Sequence, residues 1–508
     1  MPIKFTSRKL LYAALNVWSA LGIILLLSGS LYYMLCNVFL DHAGEVTIAS
    51  VAWLLYDGHP LYTTIDATER YSIQHGPMSY LLIGGVMRLL GPSFQTIKLP
   101  SVIALVIILF VSWYWFSRLL DKKTSIWLLG LEAWLFLKYY YLYLARDDVF
   151  MVLCTLTAMY FATAGKNKII SILGMAIMLG ILVNFKIHGI LYALPILALV
   201  IQRYSTKEML MVLGGLVCVG LLPFLLPNIS LVNYILWLRL SVSHGISLKI
   251  LLGNLSMVVF LCLIPLSIGW YYRCDLRAIF HQNKLFLLSL GISVLLVAII
   301  GGKCGSGSYH LAPFIPIILY LLICFILYIR QSSVNIPLWS EQKVLTSASL
   351  LLAILFIVIS VNAIHGQGRI IRYITHNRIN QAMLHDMRAI ESKYQGNSMM
   401  IGYGDLTSYR YYDELIPLLV FDGNPYLLDV SALNDMNASG VPIPAATIHE
   451  LAKGTVKLWL IPAGNIPFSL ADGYRGSPLF DETFRQTFLA HYVVIEHTKY
   501  FDVWAYKP

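Results

Sequence analysis

Long apolar runs, separated by short polar connections, constrain this chain to thread a bilayer repeatedly. They fall near residues 12–36, 99–117, 125–143, 149–164, 169–185, 189–201, 209–227, 250–270, 285–301, 311–329 and 345–362. A hydrocarbon core of about 30 Å takes about 20 apolar residues per helix, so 149–164 and 189–201 are the short members. Only 12% of the 508 residues are charged, against about 25% in a soluble domain. The first run exceeds the roughly 7–15 apolar residues of a cleaved signal, and no small-residue cleavage site follows it, so it is expected to stay as an anchor.

Orientation follows from lysine and arginine placement. With the N-terminus inside, fifteen basic residues face the cytoplasm against four acidic ones, Asp121, Glu208, Asp275 and Glu341. The net charge of +10 is then a loop bias and not a nucleic-acid signal, since no basic patch interleaved with aromatics accompanies it. The seven cysteines end at Cys324 and none forms a CxxC pair, which excludes a disulfide-stapled outer domain.

Two outward segments are too long for turns. The first outer loop, 40–98, contains an apolar stretch at 76–91 that is too short to span. It is read as an interfacial helix lying against the outer leaflet. The second segment, 363–508, carries 18% charged residues. An amphipathic helix is expected over 368–394, with Ile370, Ile371, Ile374, Ile379, Met383, Met387 and Ile390 on its apolar face. Strands are expected at 398–402, 456–461, 491–496 and in YFDVWAY near the end. The fold class is an α-helical polytopic membrane protein of about eleven transmembrane helices (1–362), with juxtamembrane helices in the first outer loop. A small C-terminal extracytoplasmic α/β domain (363–508) completes it.

Charged residues recur where helices meet the outer surface. Asp41 and Glu45 are four apart and share one face of a helix; a carboxylate there does general-base work on a hydroxyl, or the two are solvated loop acids with Asp41 as an N-cap. Arg146, Asp147 and Asp148 are a topology stop, or an acid with a phosphate-binding arginine. The Asp pair also permits a divalent cation. Glu132 and Lys138 lie at membrane depth, where ionisable groups mark function or satisfy one another. Lys186 and His188 end the fifth run, where a basic residue also snorkels. Lys303 sits in GGKCGSGSYH, where freed backbone can form an anion nest or a plain flexible turn. Acids and bases thus gather at one surface, as lipid-phosphate sugar chemistry requires: a carboxylate activates the acceptor and cations receive the departing phosphate.

These residues resemble the GT-C superfamily of polyprenyl-phosphate-sugar-dependent glycosyltransferases, of the lipid A aminoarabinose transferase and protein O-mannosyltransferase type. The resemblance covers about 30–330 and is strongest over 38–101. There Asp41, Glu45, Gly58 to Tyr62, Gly76-Pro77 with Tyr80, Leu90 to Ser93 and Leu99 to Ser101 follow the family order. Arg146-Asp147-Asp148 looks like its Arg-Pro-Asp, with Asp147 where Pro is usual. Lys186 matches a basic position commonly followed by Gln, here Ile187. Lys303 through Tyr309 is similar to a Lys-x-Gly loop ending in Tyr.

The resemblance implies an inverting hexosyl or pentosyl transfer from a polyprenyl-phosphate sugar, with no firmly implied cofactor. Asp41 is the base, with Glu45 and Asp148 as further catalytic acids. Arg146, Lys186 and Lys303 would bind the donor phosphate, and His75, Tyr80, His188, Tyr309 and His310 would line the substrate site. Expected partners are the lipid bilayer of the plasma (inner) membrane, the lipid-linked donor, and a glycan, lipid or protein acceptor of the cell envelope. A flippase or transporter predicts repeats and midplane charges; a polymerase of lipid-linked glycans lacks this first-loop pattern. Both remain as alternatives.

Overall fold

The computed structural model describes residues 3–40, 43–271, 276–331, 342–405, 412–473 and 475–507. Asp41, the expected base, lies outside the described residues. Up to residue 367 the described chain is dominated by helices: α1 Ile3–Leu35, α2 Ala43–Tyr56, α3 Pro77–Leu90, α4 Phe94–Leu119, α5 Lys122–Leu137, α6 Asp147–Thr163, α7 Lys168–Phe185, α8 Gly189–Arg203, α9 Thr206–Leu221, α10 Leu231–Val242, α11 Leu248–Tyr271, α12 Leu276–Gln282, α13 Lys284–Ile300, α14 Ile315–Gln331 and α15 Gln342–Gln367. Short polar connections restart the helices through caps. Ser93 and Thr96 form a capping box at α4, while Asp121, Asn167 and Ser205 accept first-turn amides at α5, α7 and α9.

Each expected apolar run falls on a helix. Among the described residues, six helices are long and apolar enough to cross a membrane, seven if the α12–α13 pair, bent by 90°, is one span. The shortfall against eleven runs comes partly from α5, α6 and α8. They have 16, 17 and 15 residues, or about 22–26 Å at 1.5 Å per residue, short of the hydrocarbon core. Helix α7 packs against α6 and α9, α1 against α5, and α8 against α13. The bundle also presents large apolar side chains outward, among them Val17, Phe110, Leu173, Leu210, Val259 and Ile292. Lipid, not water, satisfies such a surface. This is a multi-pass membrane protein.

Beyond α16 (Arg369–Lys393), four strands form one sheet in the order β1-β2-β4-β3: β1 Met399–Ile401, β2 Leu458–Pro462, β3 Tyr492–His497 and β4 Phe501–Tyr506. β1 pairs parallel with β2; the other pairings are antiparallel, with Trp459 opposite Trp504. Helices α17 Ile416–Phe421, α18 Val430–Ala438, α19 Ala445–Ala452 and α20 Glu482–His491 complete this part. Met383, Met387 and Ile390 bury the inner face of α16, whereas Ile379 is exposed.

A second hydrophobic core joins this sheet to the first long loop and to α10, bringing Ile48, Tyr62, Ile83 and Trp237 together with Met387, Trp459 and Phe488. Arg70 and Leu428 form a parallel bridge, and Thr47 Oγ1 donates to Asp429 at 2.7 Å. The first loop and the C-terminal segment therefore make one cap over one end of the bundle.

Candidate functional site

A cavity of about 1100 Å³ lies where that cap meets the helix connections. Its lining comes from every part of the chain: Ala43 and His75 from the first loop, Arg146, Lys186 and His188 from the helix connections, Lys303, Tyr309 and His310 before α14, and Asp413, Glu414 and Asp435 from the cap.

The cationic end is built on the start of α6. Asp147 accepts hydrogen bonds from Ser79 Oγ and His75 Nδ1, and Lys186 Nζ approaches it at 3.4 Å. Lys186 Nζ also lies 3.3 Å from Asp148, which meets Arg146 Nε at 3.2 Å. The Arg146 guanidinium stands 5.1 Å from the Tyr141 ring centre and 5.0 Å from that of Tyr309, a cation–π arrangement. Burial opposes the charge on Lys186, but Asp148 and then Asp147 hold its ammonium above the usual lysine range.

One glycine makes this convergence possible. Gly76 N–H donates to Phe185 O at 2.9 Å, and a Cβ there would come within 2.0 Å of Asn184 O. Only glycine allows the loop to press this closely against the end of α7, which brings His75 beside Asp147 and Lys186.

Next to the cations is a neutral, imidazole-rich wall. His188 packs edge-on to His310, ring centres 4.9 Å apart, and His310 Nε2 bonds Ser306 Oγ at 2.6 Å. Burial, then Lys186, pushes the His188 imidazole down to about 3, so it is neutral near pH 7. The glycine-rich loop is ordered: Ser247 N–H donates to Gly302 O at 2.8 Å, Cys304 N–H donates to Gly245 O at 3.2 Å, and Lys303 bridges Ile246. Burial lowers the Lys303 ammonium, and Asp435 opposes that shift. The far wall is acidic, with Asp413, Glu414 and Asp435; His244 Nε2 meets Asp435 at 2.6 Å.

Of the residues expected from sequence, Arg146, Lys186, Lys303, His75, His188, Tyr309 and His310 line this cavity. Three others do not. Glu45 is fully buried and held by Tyr33 and the Ala145 amide. Asp148 lies behind Arg146 and Lys186, and Tyr80 is enclosed in the second core. At membrane depth, Lys138 donates to Met257 Sδ at 2.9 Å and does not meet Glu132. Sequence reasoning missed Asp147 as the hub of His75, Ser79 and Lys186, although the doubled acid at a helix start was a visible signal. It also missed the acids of the cap, whose spacing carries no motif. Among the described residues no group of three His, Cys, Asp or Glu side chains is set to hold a metal ion; the Asp pair expected to permit one is instead neutralised by Lys186 and Arg146.

Residues 74–230 match the family described as dolichyl-phosphate-mannose-protein mannosyltransferase. The crystal structure of ArnT from Cupriavidus metallidurans bound to undecaprenyl phosphate is similar at a TM-score of 0.54 and 13% identity, covering 96% of this chain and 97% of that one. The same protein in its apo state gives 0.53 and 12%, covering 99% and 98%. No curated protein sequence matches. At such identity the structural likeness is one of fold. Within that shared fold, residues 74–230 are the segment similar to the mannosyltransferase family.

Proposed function

We propose that this protein transfers a sugar from a polyprenyl-phosphate donor to an acceptor hydroxyl at the extracytoplasmic face, with inversion. The observation that carries the reading is the cluster of Arg146 and Lys186 in the cavity wall, braced by Tyr309 and by the Asp147–Asp148 pair. Such donors suit a phosphate whose negative charge grows as its bond to sugar breaks. The similar ArnT is described with undecaprenyl phosphate bound, which supports a polyisoprenyl phosphate as the common leaving group. Asp41, between Leu40 and the cavity-lining Ala43 in sequence, takes the proton of the acceptor hydroxyl. The acceptor oxygen bonds to the anomeric carbon while the bond to phosphate oxygen breaks, and polyprenyl phosphate departs toward Arg146, Lys186 and Lys303.

The test is to incubate purified protein with candidate polyprenyl-phosphate sugars and acceptors and to quantify released polyprenyl phosphate by mass spectrometry. Release by wild type and its loss in Asp41→Asn are expected. No release with any donor and acceptor, or equal release by Asp41→Asn, overturns the reading.

A further inference from the structure

Glu45, expected as a catalytic acid, is fully buried with both carboxylate oxygens engaged. The Tyr33 hydroxyl lies 2.7 and 2.8 Å from its two oxygens, and the Ala145 amide donates to Oε1 at 2.7 Å. Glu45, Tyr33 and Ala145 are each 0% exposed. A general base must reach its substrate's proton; this carboxylate does not line the cavity.

Its partners belong to two separate segments of the chain. Tyr33 lies in the last turn of α1, just before the first loop, and Ala145 immediately precedes Arg146. Helix α4 braces the same two places from behind. Lys98 Nζ donates to Cys36 O at 2.6 Å and to Tyr33 O at 3.2 Å, and stands 4.2 Å over the Tyr33 ring. One turn later, Ser101 Oγ donates to Leu144 O at 2.8 Å. The ammonium of Lys98 thus sits at the carbonyl end of α1, where the helix dipole favours a cation. Breaking one member leaves a buried charge or carbonyl without its partner.

We infer that Glu45 is a positioning residue: a buried strut, shared by Tyr33 and the Ala145 amide, that keeps the start of α2 in register with the Arg146–Asp148 turn. The inference rests on the transferase reading above. In that reaction the base must meet the acceptor while the phosphate is held, and a misplacement of about 1 Å costs on the order of 100-fold in rate.

The experiment compares wild type with Glu45→Ala, Glu45→Gln and Tyr33→Phe. It measures polyprenyl phosphate release at saturating donor, its pH profile, affinity for undecaprenyl phosphate alone, and melting temperature. Glu45→Ala is expected to slow release on the order of 100-fold with undecaprenyl phosphate affinity retained. Glu45→Gln is expected to recover most of the rate, because its carbonyl still accepts from Ala145 and its amide donates to Tyr33. If Glu45→Gln is as slow as Glu45→Ala and loses a limb of the pH profile, Glu45 moves a proton and the strut is wrong. Affinity and melting falling as far as the rate, or an undiminished rate, overturns it too. If Glu45→Ala does not fold, Tyr33→Phe decides: slower release with intact affinity supports the strut, and unchanged release overturns it. A wild type that releases nothing overturns the transferase reading itself.

Discussion

Lys186 Nζ stands 3.4 Å from a carboxylate oxygen of Asp147 and 3.3 Å from one of Asp148, so one ammonium serves two adjacent buried acids. With Arg146 also paired to Asp148, two cations face two carboxylates and the cluster is nearly neutral. Removing the ammonium leaves two buried charges undercompensated, and breaking a buried pair costs about 3–5 kcal/mol. Lys186→Met should lower the melting temperature of the detergent-purified protein by that measure. Adding Asp148→Asn should restore part of the loss, because coupled residues do not behave additively.

The ring of Tyr309 lies 5.0 Å from the Arg146 guanidinium and 5.6 Å from Lys186 Nζ. Its aromatic face, more than its hydroxyl, is expected to orient the cations. Tyr309→Phe should therefore bind undecaprenyl phosphate nearly as wild type does. Tyr309→Leu should bind more weakly by about 1–2 kcal/mol, the size of a desolvated cation–π contact, or roughly 5- to 30-fold in a binding titration.

The helical bundle was legible because lipid imposes a local rule: every apolar run is a helix, and period and length reveal it without knowledge of partners. The cap was legible in its strands, but its union with the first loop was not. Contacts such as Thr47 with Asp429 or Arg70 with Leu428 join positions far apart in sequence, and nothing in either segment announces the other. Charges at helix ends singled out Arg146, Lys186 and Lys303, which line one cavity. Spacing alone put Glu45 on the face of Asp41 and so suggested chemistry. Periodicity says which residues share a face, not whether that face meets a cavity or a tyrosine.

Acid should weaken the fold through His188. Burial, then Lys186, holds its imidazole at about 3, whereas an unfolded histidine titrates near about 6.5. Between those values the unfolded chain takes up a proton that the folded chain refuses. The contribution is therefore complete above about pH 6.5 and is lost progressively as the pH falls toward 3, by about 1.4 kcal/mol per unit at full slope. The melting temperature of wild type should drop more steeply between pH 6.5 and 4.5 than that of His188→Gln. Parallel curves would show that another group governs this range.

Asp147 occupies the first position of α6, where proline is otherwise favoured because the amide there has no carbonyl to reach within the helix. The preceding residue, Arg146, has φ −135° and ψ 172°, the extended backbone that a following proline demands. The main chain of this protein is thus already shaped for Asp147→Pro, and α6 should form with unchanged helical content by circular dichroism. The side chain is another matter. Proline removes the acceptor shared by Ser79, His75 and Lys186, leaving the Lys186 ammonium only Asp148, which Arg146 already engages. Asp147→Pro should therefore melt earlier, by more than Asp147→Asn, whose amide oxygen still accepts a hydrogen bond. Equal melting of the two variants would show that the hub contributes through its charge alone; collapse of helicity in Asp147→Pro would show that the backbone is not preset for proline.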